Sequence, residues 1–404
     1  MIYIFIVLIL IFLIFHYDYQ GHRKNRKHWF NIILILLILI AGLRYRLGSD
    51  TVTYSESFID NPDLLEYWNF DFESTRFGRA YIFICAIFRT FSENFIPLQF
   101  ALAIFYNVVI LKFFYKNTEN VFTAIFLYFI TYYLYFNMEI LRETCAICVF
   151  LLGWKYFVRS DWTKYYIYVG IAILFHPSAA ILLFLPLSKL KIMKPFFSLN
   201  WFSLLSLAGV YVIGIAISIK FFDLIRLAGI ATADNYVDIY ENSDFYGGGI
   251  SLNIKGIIAF IMSKIAYPLF AVSIIYSYRF RNSTLQEAAY KEALVIMLFW
   301  YVYILLLSSS IVLLSRFANY FSLFYILGLS DIVFQRIKIN KKYLRLSFFT
   351  WALFLSPIIY LPISGYFAPS GVNQIPSIHK YYPYSSVLDP TLDREREQIY
   401  SLRR

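Results

Sequence analysis

Three ionisable residues lie inside or beside long apolar runs of the chain. They are Arg142 in "YFNMEILRETCAICVFLLGW", His176 in "GIAILFHPSAAILLF" and Arg316 in "SSSIVLLSRFANYFSLFYIL". Ionisable groups are costly in hydrocarbon and usually face a cavity or a partner. A guanidinium matches the oxygens of a phosphate or a carboxylate, and an imidazole can act as a general base near neutral pH.

A structural role is also open for each of these residues. Arg142 could pair with Glu139 three residues earlier on a helix. His176 could be a buried neutral histidine that hydrogen-bonds to a carbonyl, and Arg316 could extend its charge to the membrane surface. The residue types alone do not choose between these roles.

A dense polar stretch, "LRYRLGSDTVTY", follows the apolar run "WFNIILILLILIAG". It places Arg44, Arg46, Asp50 and Tyr54 where a helix is expected to leave the bilayer. Pairing of Arg44 with Asp50 across a turn would be structural. Alternatively, the arginines bind an anion and Asp50 accepts a proton from a hydroxyl group.

The segment 221–253 contains "ADNYVDIYENSDFYGGG", in which Asp234 and Asp238 are interleaved with tyrosines. Carboxylates accept hydrogen bonds from sugar hydroxyls, and aromatic rings cover sugar faces. The pattern is therefore typical of a sugar-binding loop, and equally of an ordinary solvated one. The three glycines that follow permit a hinge or a tight turn.

Composition identifies the kind of protein that must hold these residues. Of the 404 residues, 60% are hydrophobic and 15% charged, and the mean hydropathy is +0.62. A soluble protein of this size could not bury so much apolar surface. The net charge of +11 fits basic cytoplasmic loops and gives no reason to expect a nucleic-acid partner. No P-loop, dinucleotide fingerprint or metal-ligand cluster is present, so no cofactor and no metal are expected.

The hydropathy pattern predicts an all-α polytopic integral membrane protein with about 10–12 transmembrane or re-entrant helices. Residues 1–363 are predicted to form a single membrane domain, with an uncleaved first span whose N-terminus is external. External loops are expected near 44–76 and 221–253, and an external C-terminal tail at 364–404. The cytoplasmic side is assigned from basic loops at 16–28, 188–194, 279–291 and 335–345.

Two arrangements are open for residues 77–187. If all five apolar runs in this region span, Arg142 is cytoplasmic and the basic loop "KYFVRSDWTK" is external, against the positive-inside tendency. If only three span, 77–92 is interfacial or re-entrant, and 164–187 is a re-entrant hairpin with His176-Pro177 near its tip. Proline breaks or kinks a helix, which favours the second arrangement.

The ordered set of motifs resembles the EpsG family of exopolysaccharide proteins and the related Wzy O-antigen polymerases. "LRYRLGSDTVTY" resembles the family's R-x-x-x-G-[ST]-D-x-x-x-Y stretch, and "LFHPSAAILLFLPL" is close to its F-H-x-S-A stretch. The remaining matches are "FESTRFGRAYIFI" with Glu73, "ILRETCAI", "SRFANYFSLF" with Tyr320, and "YYPYSSVL". Glu143 stands where glutamine is common, and Ser49 stands where threonine is usual.

The resemblance implies a polymerase of lipid-linked sugar repeat units, similar to the membrane-embedded C-type glycosyltransferases that include O-antigen ligases. Donor and acceptor would be glycans on undecaprenyl pyrophosphate, joined by metal-independent inverting transfer at the periplasmic face of the bacterial inner membrane. Membrane lipid and a Wzz-type chain-length regulator would be partners. An O-antigen ligase and a flippase of lipid-linked oligosaccharide are the alternatives.

Under this interpretation each candidate residue has a role. His176 is the first candidate for the base and Asp50 the second. Pyrophosphate would be bound by Arg142 and Arg316, with Arg44 or Arg46 in support. The predicted sugar contacts are Tyr54, Glu73, Asp234, Asp238 and Tyr320.

Overall fold

The computed structural model describes residues 2–73, 75, 77–218, 267–279, 285–308, 314–339, 365–367 and 375–401. Within these ranges the regular secondary structure is helical, accompanied by isolated β-bridges. Four described helices are long and apolar enough to cross a membrane: Ile2–Tyr19, Ile96–Asn117, Val121–Met138 and Glu287–Leu307. The predicted all-α polytopic membrane fold is confirmed. The predicted loop 221–253 lies outside the described residues.

The chain divides into two compact units. Unit 1 comprises residues 1–157, 161–183 and 330–404, and unit 2 comprises 158–160 and 184–329.

Helices α1 and α2 begin unit 1, and the residues that connect them, 20–25, lie within the predicted basic loop 16–28. Helix α1 (Ile2–Leu13) continues as a π-helix to Tyr19, and α2 (Arg26–Gly42) packs along α5 (Ile96–Asn117). The C-terminal end of α5 lies at the basic loop, because Arg23 forms a 3.5 Å ion pair with Glu119. Asp18 accepts hydrogen bonds from the backbone and hydroxyl of Thr123 at 2.7 and 2.8 Å. The chain therefore turns back beside this loop.

The next apolar run returns to the opposite end of the unit. It consists of α6 (Val121–Tyr128), a π-helical turn and α7 (Leu134–Met138), and α8 (Leu141–Arg159) follows after a break at Glu139. The first turn of α8 contains Arg142, whose Nε donates to Tyr54. Arg142 thus lies on the side of residues 43–57, in agreement with the three-span arrangement.

The run at 77–92 contains only a short helix, α4 (Arg79–Arg89), of 11 residues. Such a helix rises about 16 Å, roughly half the thickness of the hydrocarbon core. It cannot span as a straight helix, which again agrees with the three-span arrangement.

The apolar run from residue 162 to 189 folds back on itself. Helix α9 (Trp162–Phe175) ends at His176, and a 3₁₀-helix (Pro177–Lys189) follows. The Tyr165 hydroxyl donates to the carbonyl of Leu182 at 2.7 Å, so the two arms lie side by side. The predicted break at His176-Pro177 is therefore present, within a hairpin.

Unit 2 is a set of packed helices. Helix α10 (Trp201–Ser218) and α11 (Tyr267–Arg279) both pack against α12 (Leu285–Leu307). Helix α13 (Ser315–Ile339) begins in this unit and stacks Tyr325 on Tyr301 of α12, with ring centroids 4.7 Å apart. Aromatic stacking thus joins α12 to α13.

Candidate functional site

The carboxylate of Glu139 holds the N-terminus of α3 (Ser49–Ser57). Its oxygens accept the backbone N–H groups of Ser49 and Asp50 at 3.2 Å each, and the Ser49 hydroxyl at 3.0 Å. A carboxylate is stabilised at this position because the first N–H groups of a helix lack internal partners and carry partial positive charge. Glu139 is buried, so the break between α7 and α8 is firmly attached to α3.

Gly48 allows the same two segments to approach closely. It has φ of +88°, which glycine adopts without steric cost, and a Cβ there would collide with the carbonyl of Met138. The hydroxyl of Thr51 donates to that carbonyl at 2.5 Å. The glycine and the hydroxyl residues of "LGSDT" are therefore explained by docking onto residues 138–139.

Arg142, in the first turn of α8, contacts two aromatic residues, Tyr54 and Phe77. Its Nε donates to the Tyr54 hydroxyl at 3.1 Å, and its guanidinium carbon lies 4.8 Å from the centre of the Phe77 ring. The rings of Tyr54 and Phe77 are themselves 5.7 Å apart. Hydrogen bonding and cation–π contact hold a half-buried positive charge in a defined orientation. Such a group suits recognition of a phosphate oxygen.

The start of α4 joins Arg142 to the tip of the hairpin. Gly78 follows Phe77, and a Cβ at Gly78 would collide with the carbonyls of Leu174 and Phe175. His176, the next residue along the hairpin, is extended, as expected immediately before proline. The contacts therefore bring His176 and Arg142 to the same end of unit 1.

The His176 ring is oriented by the residue after the proline. Its Nδ1 accepts the backbone N–H of Ser178 at 3.3 Å and lies 2.6 Å from the Ser178 hydroxyl oxygen. With the proton on Nδ1, the ring donates to the Ser178 hydroxyl and Nε2 is the basic nitrogen. With the proton on Nε2, the ring is instead a hydrogen-bond donor. Ser178 thus fixes the orientation of the ring in either state.

Arg44 is a buried structural cation. It is 2% exposed, donates to the carbonyl of Ala41 and to the Thr51 hydroxyl, and its own carbonyl accepts from Gln99 at 2.9 Å. Burial lowers the pKa of Arg44 to about 10, so the group remains charged at neutral pH. Its hydrogen bonds connect the end of α2 to α3.

The C-terminal segment 375–401 packs on residues 43–48. Arg46 forms a two-pronged ion pair with Glu397 of α14 (Arg394–Ser401) at 2.9 and 2.7 Å. The backbone of Tyr45 donates to Ser385, and Val387 donates to Leu43. The described part of the predicted tail is therefore folded against the motif.

Tyr381 connects the C-terminal segment to Glu139, at the break between α7 and α8. Its hydroxyl donates to Glu139 at 2.9 Å. Burial, and next the charge of Glu139, raise the pKa of Tyr381 well above its ordinary value, so the hydroxyl stays protonated as a donor.

Unit 1 thus gathers six of the candidate residues, Asp50, Tyr54, Arg142, His176, Arg44 and Arg46, around the junction of α3, α8 and the hairpin tip. Glu73 lies in unit 1 on an exposed turn, where its backbone donates to Asp71. Arg316 and Tyr320 lie in the first turns of α13, in unit 2, where Arg316 is half-buried and Tyr320 fully buried. Asp234 and Asp238 lie outside the described residues.

Sequence reasoning missed several residues that build this site. The sequence indicates Glu139 only as a partner of Arg142, and it gives no separate signal for Phe77, Tyr381 or Glu397. No local spacing reveals them, because each acts on a residue that is distant in the chain. A further group, His379, Asp393 and Glu395, has ligand atoms within 4.8 Å of one another. Nδ1 of His379 already lies 2.7 Å from a carboxylate oxygen of Glu395, and this contact joins the 3₁₀ turn Ser377–Lys380 to α14.

The sequence profile of the EpsG family matches residues 27–386, which is most of the chain. Because the match covers most of the chain, this polytopic, all-helical membrane protein belongs to the EpsG family. Membership indicates a function of the polysaccharide-polymerase type. Neither the curated proteins nor the solved structures contain a significant match to this chain.

Proposed function

We propose that the protein joins undecaprenyl-pyrophosphate-linked oligosaccharide repeat units into an O-antigen or exopolysaccharide chain. Transfer would invert the anomeric centre without a metal, at the periplasmic face of the inner membrane. The observation that carries the proposal is the guanidinium of Arg142, held between the Tyr54 hydroxyl and the Phe77 ring beside the hairpin tip.

The chemistry requires positive charge at the leaving group. As the glycosidic bond to the pyrophosphate breaks, negative charge grows on the departing oxygen, and a preoriented guanidinium stabilises it. Arg142 fits this role because its orientation is set before substrate arrives. Arg44 and Arg46 support the site in a different way: their own ion pair and hydrogen bonds fix the segment that carries Asp50 and Tyr54.

The acceptor hydroxyl needs a base on the opposite face of the anomeric carbon. His176 provides it in the tautomer with the proton on Nδ1. Nδ1 then donates to the Ser178 hydroxyl instead of accepting the Ser178 backbone N–H, and Nε2 accepts the proton. Asp50, whose backbone is bound by Glu139 at the start of α3, is the second candidate. A single in-line displacement with one base inverts the configuration.

The remaining candidate residues complete the proposal. Arg316 is a second pyrophosphate contact, and Tyr320, Glu73, Asp234 and Asp238 are sugar contacts. A Wzz-type chain-length regulator is the expected protein partner, since polymerisation to a defined length needs a stop.

The test is a lipopolysaccharide ladder from a strain that lacks the gene, complemented with the wild type, Arg142→Ala, His176→Gln or the control Arg23→Gln. Arg23 is an exposed arginine far from the site, so its variant should restore the full ladder. The polymerase is supported if a single-repeat band replaces the ladder in the deletion strain, and if only the wild type and the control variant restore the ladder.

Other results have distinct meanings. Loss of all repeats from the lipid A core indicates a ligase or a flippase. If the ladder is unchanged, the chain lengths of capsule and exopolysaccharide are measured instead. Normal chain lengths in these polymers as well would contradict the proposal. Long chains in Arg142→Ala or His176→Gln, at normal protein level, contradict the role given to that residue.

A further inference from the structure

Three side chains that can bind a metal ion meet within the C-terminal segment 375–401. One ligand atom from each of His379, Asp393 and Glu395 lies within 4.8 Å of the other two. His379 belongs to the 3₁₀ turn Ser377–Lys380, whereas Asp393 directly precedes α14 and Glu395 lies in its first turn. Because the histidine is distant from the two acidic residues in the chain, only folding brings the three together.

Hydrogen bonding does not explain the position of the histidine ring. Nδ1 of His379 is buried and makes no hydrogen bond to any described residue, although a carboxylate oxygen of Glu395 lies 2.7 Å away. At so short a distance, only an unfavourable direction prevents a hydrogen bond. The oxygen therefore lies away from the axis along which Nδ1 would donate. Two ligand atoms of one metal ion are arranged in this way, because each faces the ion rather than the other ligand.

The charges of the group also favour a cation. The carboxylates of Asp393 and Glu395 repel each other at this separation, and a divalent cation between them removes the repulsion. The guanidinium of the neighbouring Arg396 is directed elsewhere, since it donates to the backbone carbonyls of His379 and Pro383.

The ligands lie on a backbone that is already fixed. Oδ1 of Asp393 accepts the backbone N–H of Arg396 at 2.9 Å, and Nε of Arg396 donates to the His379 carbonyl at 2.9 Å. The two ends of the segment also pack with Val52 of α3 in one small apolar core. Binding of an ion therefore requires little further ordering of the chain.

The donor atoms identify the class of metal. One imidazole nitrogen and two carboxylate oxygens suit Zn²⁺, whereas Mg²⁺ and Ca²⁺ prefer oxygen ligands alone. Zinc binds such atoms at about 2.0–2.2 Å, which places tetrahedral ligands roughly 3.4 Å apart. The 2.7 Å contact and the 4.8 Å limit lie on either side of this value. The side chain of Glu395 is 55% exposed, so it has room to rotate and complete the set.

We propose that His379, Asp393 and Glu395 bind one zinc ion, with water as the fourth ligand. The role of the ion is structural, because no step of the proposed glycosyl transfer uses it. The inference is therefore independent of the proposed function.

The ion fastens together the two parts of the C-terminal segment that contact the rest of unit 1. Tyr381, directly after the 3₁₀ turn, donates to Glu139, and Glu397 of α14 pairs with Arg46. A ligand that binds only the folded state stabilises that state. Zinc is therefore expected to stabilise the docking of this segment.

The experiment is a calorimetric titration of the metal-free, full-length protein in detergent with zinc, and separately with Mg²⁺ and Ca²⁺, after purification without a histidine tag. The test variants are His379→Gln and Asp393→Asn, and the asparagine keeps an oxygen that can accept the Arg396 N–H. The matched controls are His28→Gln and Asp389→Asn, which change an exposed histidine and an exposed acidic residue of the same C-terminal segment. The melting temperature of each metal-free variant verifies that it is folded.

One zinc ion per chain is expected, bound at least about tenfold more tightly than Mg²⁺ or Ca²⁺. Both test variants should bind zinc at least about tenfold more weakly than the wild type, since changes outside the ligand set already weaken metal binding about 10–100-fold. The two controls should keep the wild-type affinity. Zinc should raise the melting temperature of the wild type and the controls by a few degrees, and that of the test variants by less.

Four results would overturn the proposal. Wild-type zinc affinity in either test variant would show that the residue is not a ligand. An equal loss of affinity in Asp389→Asn would indicate diffuse attraction by acidic residues instead of a site. Equally tight binding of Mg²⁺ or Ca²⁺ would exclude zinc as the specific occupant, and zinc binding without a rise in melting temperature would contradict the structural role.

Discussion

At the scale of single residues, the motif "LRYRLGSDTVTY" contains two kinds of side chain. Arg44, Gly48, Ser49 and Thr51 attach α3 to the ends of α2 and α7. Tyr54, one turn further along α3, reaches Arg142 instead. Much of the motif therefore holds α3 in place. Tyr54 differs because it contacts Arg142, the residue proposed to bind pyrophosphate.

Tyr54→Phe should slow polymerisation with little effect on protein level. The change removes only the hydroxyl that accepts from Arg142, and a hydrogen bond to a charged group contributes about 1.5–3 kcal/mol at most. Because Arg142 is half-buried and solvent replaces part of that contact, a loss of roughly tenfold in chain-extension rate is expected. The measurement is chain length against time in membranes supplied with lipid-linked repeat units. Tyr384→Phe, which removes a hydroxyl bound to Ile40, is the control and should keep the wild-type rate.

Glu139→Gln should destabilise the protein. The amide keeps the shape but cannot accept all four hydrogen bonds now made to the carboxylate by Ser49, Asp50 and Tyr381. A loss of about 1–3 kcal/mol is expected from buried donors left without an acceptor. Thermal unfolding in detergent measures it, with the exposed Glu93→Gln as control. Equal melting temperatures for the two variants would contradict the central position of Glu139.

At the scale of elements, the site depends on breaks in helices. The interruption at Glu139 separates α7 from α8 and turns the first residues of α8 towards α3. The interruption at His176 ends α9 and creates the hairpin tip. Backbone groups at such breaks need partners, and here the side chains of Thr51 and His176 supply them, to the Met138 carbonyl and the Ser178 N–H respectively.

Gly48→Ala should be strongly destabilising, because the added methyl group meets the Met138 carbonyl and the residue must keep a positive φ. The cost should exceed about 1 kcal/mol. Gly170→Ala is the matched control: Gly170 lies in α9 with open space around it, and alanine there should stabilise by up to about 1 kcal/mol. Melting temperatures that shift in opposite directions meet the expectation. A neutral Gly48→Ala would show that the close approach to Met138 is not needed.

The sequence predicted these elements unevenly. The helical membrane fold and the break before Pro177 could be predicted from the sequence, because hydropathy and proline act locally. The partners of Arg46 and Glu139 were not, because Glu397 and Tyr381 come from a polar C-terminal segment with no periodic signal. The pairing of Arg142 with Tyr54 could not be predicted either, because the two residues are 88 positions apart in the chain.

At the scale of the whole molecule, the contacts of unit 1 define two ends. One end joins the loop 16–28 to residues 118–123, through Arg23, Asp18 and Glu119. The other joins residues 43–57 to 139–142 and to the segment 375–401. Positive charge is concentrated in the loop 16–28, so from the positive-inside tendency we predict that this end is cytoplasmic and that the candidate site is external.

This assignment makes opposite predictions for two exposed positions. With three spans between residues 44 and 188, Glu93 is external and Glu119 is cytoplasmic. With five spans the two are reversed. Glu93 and Glu119 are 88% and 73% exposed, so a cysteine at either position would be accessible to a reagent on its own side of the membrane.

The measurement is labelling of Glu93→Cys and Glu119→Cys with a membrane-impermeant maleimide in spheroplasts. The native cysteines, Cys85, Cys145 and Cys148, are all buried, so the wild type should remain unlabelled and provides the blank. Rapid labelling of Glu93→Cys is expected, with Glu119→Cys labelled only after the membrane is opened. The reverse pattern would place Arg142 and its aromatic partners in the cytoplasm, where a polymerase acting on externally displayed repeat units could not use them.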